Sequence, residues 1–470
     1  MLTAAIIAID PELCTGCKRC VETCPARAIE GDQGKPQQLD EKKCVACGRC
    51  VQICSAYDSI FDQYTTPREA RLAERRLSPS LKEPLFAAYD RNQVDEVKAA
   101  LAEPGRLAIA YCQAPVCTAL AEDFDLPTGG FSPGQVVAAL RKLGFSRIYG
   151  TSLASALAVV EHAHELVQRL EGGIILPVIN SSCPAAVKLI EQSYPELIHY
   201  LASCKSPQQI AGALFKSCAA QAAGIRSEDA FNVSIVPCTS RKLEADRPEM
   251  AASGNPAIRD VDAVLTTREL AYLIKENEID VSKLAEEEFD DDLPEVAGAE
   301  NAYSTTGEVT QAVLRAAAEL LSLRTPATSS ADVKVTEAQE EGAHIACMQI
   351  NGYDLKAVAV SGLQNAIPYL DDIKAGKRDL AFLEVMSCPM GCVSGGGQPK
   401  VLLPEEKAAV YSKRLDIVRR NAAPRSTVTE HPSVKAIYRD LLLTPCGDKS
   451  NRILHTQYFE REMRSGPTQD

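Results

Sequence analysis

The sequence predicts an α/β protein of parallel sheets flanked by helices, with a small cysteine-rich α+β domain at its amino end. Three observations predict it. Eight of the 18 cysteines fall within the first 60 of 470 residues. From about residue 105, short apolar runs alternate with amphipathic stretches of helical period. Several of those runs end in a loop carrying cysteine, where a parallel sheet presents its carboxyl edge.

Taken in order, residues 1–60 read as one compact domain, with apolar pieces at 4–9 and 28–29 as the edges of a small β-wrap. Residues 61–104 turn polar and charged, and Arg68, Arg71, Arg75, Arg76 and the stretch 95–101 predict a helical linker. Residues 105–404 form the main α/β unit. Its strands are expected at 107–110, 148–149, 174–179, 233–236, 263–265, 358–360 and 380–384, and its first helices at 135–143 and 153–170. The acidic run Glu286, Glu287, Glu288, Asp290, Asp291 and Asp292 predicts a solvated loop, and residues 324–334, rich in Thr, Ser and Ala, an exposed connection. Residues 405–470 close the chain with helices.

The length exceeds one ordinary core, and about 100–200 residues per domain makes roughly three units. With 50 basic and 63 acidic residues the net charge is −13. That balance repels nucleic acid and anionic membrane and suits a partner with basic patches. No apolar run approaches the about 20 residues that span a bilayer. The first ten residues show neither a basic leader region nor a twin-arginine pair, and the expected location is the cytoplasm. Thiols stay reduced there, so the cysteines read as metal ligands rather than disulfides.

Cys14, Cys17, Cys20 and Cys24, followed by Pro25, are spaced C-x2-C-x2-C-x3-C-P; Cys44, Cys47, Cys50 and Cys54 repeat the spacing with Ser55 after it. Three thiolates two residues apart wrap one corner of a cubane, and the fourth reaches across to the other cluster. Cys14, Cys17, Cys20 and Cys54 are thus expected to hold one [4Fe–4S] cluster, and Cys44, Cys47, Cys50 and Cys24 a second. The competing reading is a pair of zinc sites, which the double register disfavours. Such clusters pass single electrons, and something further along the chain must use them.

Three later segments supply four more cysteines: Asn180-Ser181-Ser182-Cys183-Pro184, Pro237-Cys238-Thr239-Ser240-Arg241, and Glu384-Val385-Met386-Ser387-Cys388-Pro389-Met390-Gly391-Cys392. Four thiolates suit a third cubane. Gly395, Gly396 and Gly397, followed by Gln398, would let backbone approach a cofactor closely. These segments resemble the three H-cluster motifs of the [FeFe]-hydrogenases. The likeness runs over nearly the whole chain, with further support at 204–209, 262–270 and 454–459. The last stretch resembles the small-subunit segment of single-chain members, and residues 1–60 resemble bacterial two-cluster ferredoxins.

The resemblance implies an H-cluster domain of two lobes. In it Cys183, Cys238, Cys388 and Cys392 bind the cubane, and Cys392 bridges to a diiron subcluster carrying CO, cyanide and an azadithiolate. Arg241 falls where the family has a lysine that bonds a cyanide, and arginine keeps a donor there in a different geometry. Met386 matches a methionine over the diiron site; Gly395, Gly396, Gly397, Gln398 and Pro115 are expected against the cofactor. Val236 stands where another methionine is usual, Met390 where a glycine is, and Glu308 where another glycine is.

The proton-handling positions depart from the family. Catalytic members place a cysteine where this chain has Ser182. A thiol titrates near about 8.5, whereas a serine hydroxyl only relays a proton without ionising. His162 aligns with a glutamate of the family's path and Ala202 with its serine, while Glu165 and Arg169 match. An impaired path is expected, as in the sensory branches. The resemblance therefore implies an enzyme interconverting H2 with protons and electrons at attenuated turnover, or an H2 sensor or electron-transfer subunit of a larger redox complex. A third reading is a relative of the eukaryotic iron–sulfur assembly factors, which do not usually keep a complete eight-cysteine domain. No flavin or nicotinamide motif is evident, so electrons should pass to a ferredoxin or partner subunit. Cys112, Cys117, Cys204, Cys218, Cys347 and Cys446 read as buried small hydrophobes, and His455 as a structural contact.

Overall fold

The computed structural model describes residues 5–58, 65–216, 224–291, 296, 299–324, 334–337, 342–377, 379–420 and 428–461. Cys218, Asp292 and most of the connection at 324–334 lie outside them.

The amino-terminal part is built from very short elements. Strands β2 (Ile29–Glu30) and β3 (Gln38–Leu39) pair antiparallel. Each five-residue helix that follows a cysteine motif, Arg19–Thr23 and Arg49–Ile53, starts behind a residue of positive φ, Lys18 or Gly48. The stretch at 61–104 holds the helices Arg68–Glu74 and Val94–Ala102, and also a strand. That strand, β4 (Ala88–Asp90), returns to pair antiparallel with β1 (Ile7–Ile9). Leu13, Ala56, Leu72, Leu85 and Ala87 form a small core behind it.

Two larger sheets follow. In the first, β5 (Leu107–Cys112), β6 (Arg147–Gly150), β8 (Ala230–Val236) and β9 (Ala263–Thr266) lie in the order β6-β5-β8-β9, all parallel. Every residue of β5 and β9 is buried, as expected of strands covered by helices on both faces. The helix Pro133–Leu143 starts at a capping box of Ser132 and Gln135 and stops at Gly144, whose φ is 104°. The second sheet runs β10-β11-β12-β13-β7, from Lys334–Glu337 (β10), Ala343–Ile350 (β11), Tyr353–Ser361 (β12), Phe382–Met386 (β13) and Val178–Ile179 (β7). β12, β13 and β7 are parallel, whereas β10 and β11 extend the sheet antiparallel. The sheet is therefore mixed, and only its parallel half bears the cysteine loops.

The strand expected at 174–179 shrinks to its last two residues; Ile174 is exposed, and a cis bond joins Leu176 to Pro177. The acidic segment is pinned rather than simply solvated: Asp290 accepts from the Ile148 amide at 2.7 Å and from Arg141 at 3.1 Å. Cys347 is exposed on β11, which corrects the expectation of a buried thiol. The helices Lys407–Arg420, Pro432–Ile437 and Asp448–Leu454 close the chain. No helix among the described residues is long and apolar enough to cross a membrane.

Candidate functional site

The eight amino-terminal thiols gather into two groups, each drawing one member from the other motif. Cys20 is pushed up to about 11 by burial and by Cys14, Cys54 and Cys17 around it. Cys50 is raised far more strongly by burial, with Cys47, Cys44 and Cys24 its next neighbours in effect. The grouping follows the crossed spacing of the sequence. Cys17 is exposed, while Cys47 and Cys50 are buried.

The second group faces inward across a polar seam. Thr239 Oγ1 donates to the Ala46 carbonyl at 2.6 Å, Gln52 Nε2 to the Gln398 carbonyl at 2.7 Å, and Lys188 Nζ to the Cys44 carbonyl at 2.5 Å. Gly396 lies so close to this loop that a Cβ on it would stand 2.4 Å from the Cys47 carbonyl oxygen and 2.7 Å from Gly48 Cα. Burial raises the Cys47 thiol, and Cys388 across the seam raises it further.

Beyond the seam, carboxyl ends of both large sheets converge on one cavity. β7 ends in the loop to Cys183, β8 in Pro237-Cys238, and β13 in Ser387-Cys388; Cys392 follows on the same wall. Burial pushes Cys388 up to about 12, with Cys238 and Cys183 adding to it. Cys392 is raised by burial and by Cys238 and Cys388. Four thiols from three segments thus surround one space. The loop carrying Cys392 is held by its amide bond to the Ser304 carbonyl at 2.9 Å and by the Thr305–Gly391 bridge. Gly391 has φ 96°, and a Cβ there would meet Ser304 O at 2.8 Å, so this position requires glycine.

The family described as "Iron only hydrogenase large subunit, C-terminal domain" matches residues 108–396, more than half of the chain. The chain belongs to the iron-only hydrogenase family. A 4Fe–4S dicluster domain matches residues 6–55 and the iron hydrogenase small subunit residues 410–461. The chain is 35% identical over 387 residues, 81% of its length, to the NADP-reducing hydrogenase subunit HndD of Solidesulfovibrio fructosivorans, and spans only 64% of that relative. It is 27% identical to the cytosolic Fe-S cluster assembly factor narfl of Danio rerio, over 69% of this chain and 79% of that one. A solved [FeFe]-hydrogenase HydA1 variant from Chlamydomonas reinhardtii superposes with a TM-score of 0.70 at 31% identity, covering 78% of this chain and 99% of the other. Iron–sulfur clusters are accordingly this family member's cofactors.

Ser182 lines the cavity; its amide donates to Asn180 Oδ1 at 2.7 Å, and its Oγ is buried without a hydrogen-bond partner. The Tyr303 hydroxyl is its neighbour, also unpartnered, and burial raises the phenol while Ser182 opposes that rise. Arg241 reaches the cavity with Nη1 on Glu244 at 2.7 Å; burial works against its charge, but Glu244 and Cys238 outweigh it and hold the guanidinium ionised. Met386 ends β13 on the cavity wall, its sulfur accepting from Thr306 Oγ1 at 3.6 Å. Val236 is core. Met390 has φ 60°, a conformation costing a non-glycine residue about 1–2 kcal/mol, which gives a physical reason for the family's glycine there.

Gly395 lines the cavity, but a Cβ on it would meet the Pro237 carbonyl at 2.1 Å, and one on Gly397 the Thr266 side chain at 2.7 Å. These glycines admit neighbouring backbone and side chains. Gln398 bridges Thr267 Oγ1 and the Pro115 carbonyl, at 2.7 and 2.9 Å.

On the helix Ser152–Glu171, Glu165 pairs with Arg169 at 2.5 Å. His162 is fully buried, its Nδ1 on the Ala158 carbonyl at 2.5 Å and its Nε2 unpartnered, and burial lowers its pKa. Ala202 is core, while the next residue, Ser203, donates from Oγ to Glu165 at 3.2 Å. Ser203 also meets His455 Nδ1 at 2.8 Å, and His455 Nε2 meets Glu161 at 3.0 Å. Glu161 further accepts from Tyr438 and from the Cys446 amide, both at 2.7 Å. Burial pushes Glu161 up, but His455, Tyr438 and that amide together hold it below the ordinary carboxylate range. Sequence reasoning missed this network. Its one available signal was a serine directly beside the expected serine position.

Proposed function

We propose that this chain is an [FeFe]-hydrogenase-like oxidoreductase interconverting H2 with protons and electrons at attenuated turnover. The observation carrying the proposal is the convergence of Cys183, Cys238, Cys388 and Cys392 on one cavity, directly across a bonded seam from the group containing Cys47. The division into residues 1–60, 61–104, 105–404 and 405–470 belongs to the same proposal, as does a cytoplasmic location.

The residues fit the cofactor set. Twelve thiols in three groups of four suit three [4Fe–4S] cubanes. The cavity keeps unfilled space, a cationic donor at Arg241, a thioether at Met386 and two unpartnered hydroxyls, Ser182 and Tyr303, a wall suited to a guest with polar ligands such as a CO- and cyanide-bearing diiron subcluster. When bound, that group would supply the chemistry of making and breaking the H–H bond. Cys392 would be its protein link, and the Arg241 guanidinium, fixed by Glu244, would aim donors at negatively polarised ligands. Ser182 would relay a proton through its hydroxyl without ionising, and Glu165 with Arg169 would handle protons nearer the surface. Electrons would enter or leave beside exposed Cys17, by way of a ferredoxin or partner subunit, and cross the seam at Cys47.

Infrared spectroscopy of the anaerobically matured protein tests this reading: CO and cyanide stretching bands should appear alongside roughly twelve cluster irons and two more. Iron near eight, with no such bands, refutes it. A second reading, an H2 sensor or electron-transfer subunit, is favoured by Ser182 in place of a titrating thiol; bands that respond to H2 without turnover would decide for it.

A further inference from the structure

The cavity has a wall that the route through Glu165 does not use. Glu384, on β13, lines this wall and is 2% exposed. Its carboxylate faces the start of the helix Glu308–Arg324. It accepts from the Gly307 amide at 3.0 Å, the Thr310 amide at 2.9 Å and Thr310 Oγ1 at 2.6 Å. On the cavity side Glu384 lines the same space as Tyr303 and Ser182. On the outer side Gly307 and Thr310 line a separate pocket together with Glu308, His344 and Arg419. Thr310 thus touches the acid through its hydroxyl and the outer pocket through its own surface.

We propose that Glu384, with Thr310 behind it, is a proton port joining the cofactor cavity to the outer pocket of Glu308, His344 and Arg419, separate from the Glu165–Arg169 side. The proposal rests on the functional reading above. Glu384 is suited to the task. Burial raises its carboxyl to about 6, the Thr310 and Gly307 bonds opposing and half-buried Glu308 adding to the rise. A carboxyl titrating there both takes and returns protons near working pH. The charged or titratable groups facing it are Glu308 from the helix and Tyr303 from the segment before it; Arg241 in turn faces Tyr303. Glu308, which stands where the family has glycine, thereby gains a role: its charge strengthens the proton affinity of Glu384, and its carboxylate receives protons at the outer end.

The step balances with one proton and no electrons. A proton leaving the cavity passes to the Glu384 carboxylate, which lines it, forming the neutral acid. Glu384 then gives it through the Thr310 hydroxyl to Glu308 or to water in the outer pocket. H2 evolution runs the same transfers in reverse.

Two measurements test the port. In protein carrying its iron–sulfur clusters before diiron loading, a carboxylic acid infrared band should titrate with a midpoint of about 6, vanish in Glu384→Gln, and shift to lower pH in Glu308→Gln. In the matured protein, exchange of H2 with solvent deuterium should slow about tenfold or more in Thr310→Val and recover in Thr310→Ser. Absence of a titrating band that depends on Glu384 overturns the proposal. So does Thr310→Val exchanging as fast as unmodified protein, a comparison that stands even if Glu384→Gln fails to fold. Absence of CO and cyanide bands after maturation would instead strike the functional reading, leaving the carboxyl titration to judge the acid by itself.

Discussion

Replacing Gly396 with alanine tests whether the seam between the amino-terminal clusters and the cavity is as tight as its geometry implies. The added methyl would stand 2.4 Å from the Cys47 carbonyl oxygen, 2.7 Å from Gly48 Cα and 3.0 Å from Thr239 Oγ1, where ordinary contact begins at 3.4 Å. The first two are backbone atoms of a ligand loop and cannot swing away as a side-chain tip would. The loop must therefore retreat by about 1 Å, an overpacking that costs about 1–3 kcal/mol. The Thr239–Ala46 bond, 2.6 Å long and buried, would stretch with it, adding about 0.5–1.5 kcal/mol. A destabilisation of about 1.5–4.5 kcal/mol is expected, seen as a lower denaturant midpoint for loss of the visible cluster absorbance. Electron delivery should suffer too: rapid-freeze paramagnetic resonance should find the amino-terminal clusters reduced at the normal rate and the cavity cubane more slowly. An unchanged midpoint together with unchanged reduction of that cubane would refute the account of the seam.

Cys238→Ala should remove the cavity cubane, about four of roughly twelve irons, and leave the amino-terminal paramagnetic signals in place. Ser182→Cys should raise turnover of the matured protein as part of the about 10²–10⁴-fold that a positioned acid–base group contributes; full recovery is not expected while His162 and Ala202 remain, and Ala202→Ser with His162→Glu should add to it. Glu161→Ala should cost about 3–5 kcal/mol near neutral pH, because it strands His455, Tyr438 and the Cys446 amide in the interior. Since the folded protein holds Glu161 below its unfolded pKa of about 4.3, its contribution is present above that value and is lost as pH falls through the depressed one. The variant should therefore show a flatter acid limb in a plot of denaturant midpoint against pH.

The metal-binding pattern was legible because ligand spacing is a one-dimensional property. The two amino-terminal motifs fix their crossed partners by count alone, and each cavity cysteine announces itself in a loop after an apolar run. The long parallel strands were legible for a similar reason: β5 is a continuous apolar segment, and β8 is apolar apart from Asn232 and Ser234. What escaped has its cause in distance or brevity. The pairing of β1 with β4 involves three residues on each side, too few to show a period. The antiparallel β10 and β11 lie at an edge; β11 exposes Cys347 and Gln349, and the one strong local signal, the Asn351-Gly352 turn that joins β11 to β12, was passed over. Ser203, His455 and Glu161 are joined across separations of 252 and 294 residues, which no local pattern reveals. The glycine run was recognised, but its use differs from the expectation, because what approaches Gly396 is the ligand loop of another cluster.

The return of β4 onto β1 has a mechanical consequence. Asp90, at the end of β4, is clamped by Arg268 at 2.5 Å and by Lys242 at 3.3 Å, both from the first large sheet's side of the molecule. One short strand is therefore riveted at once to the amino-terminal clusters and to the body that holds the cavity. Such a joint cannot swing. On the proposed function, electrons crossing the inner leg would pass a fixed gap, insensitive to solvent viscosity, whereas transfer at exposed Cys17 would wait for a partner to dock.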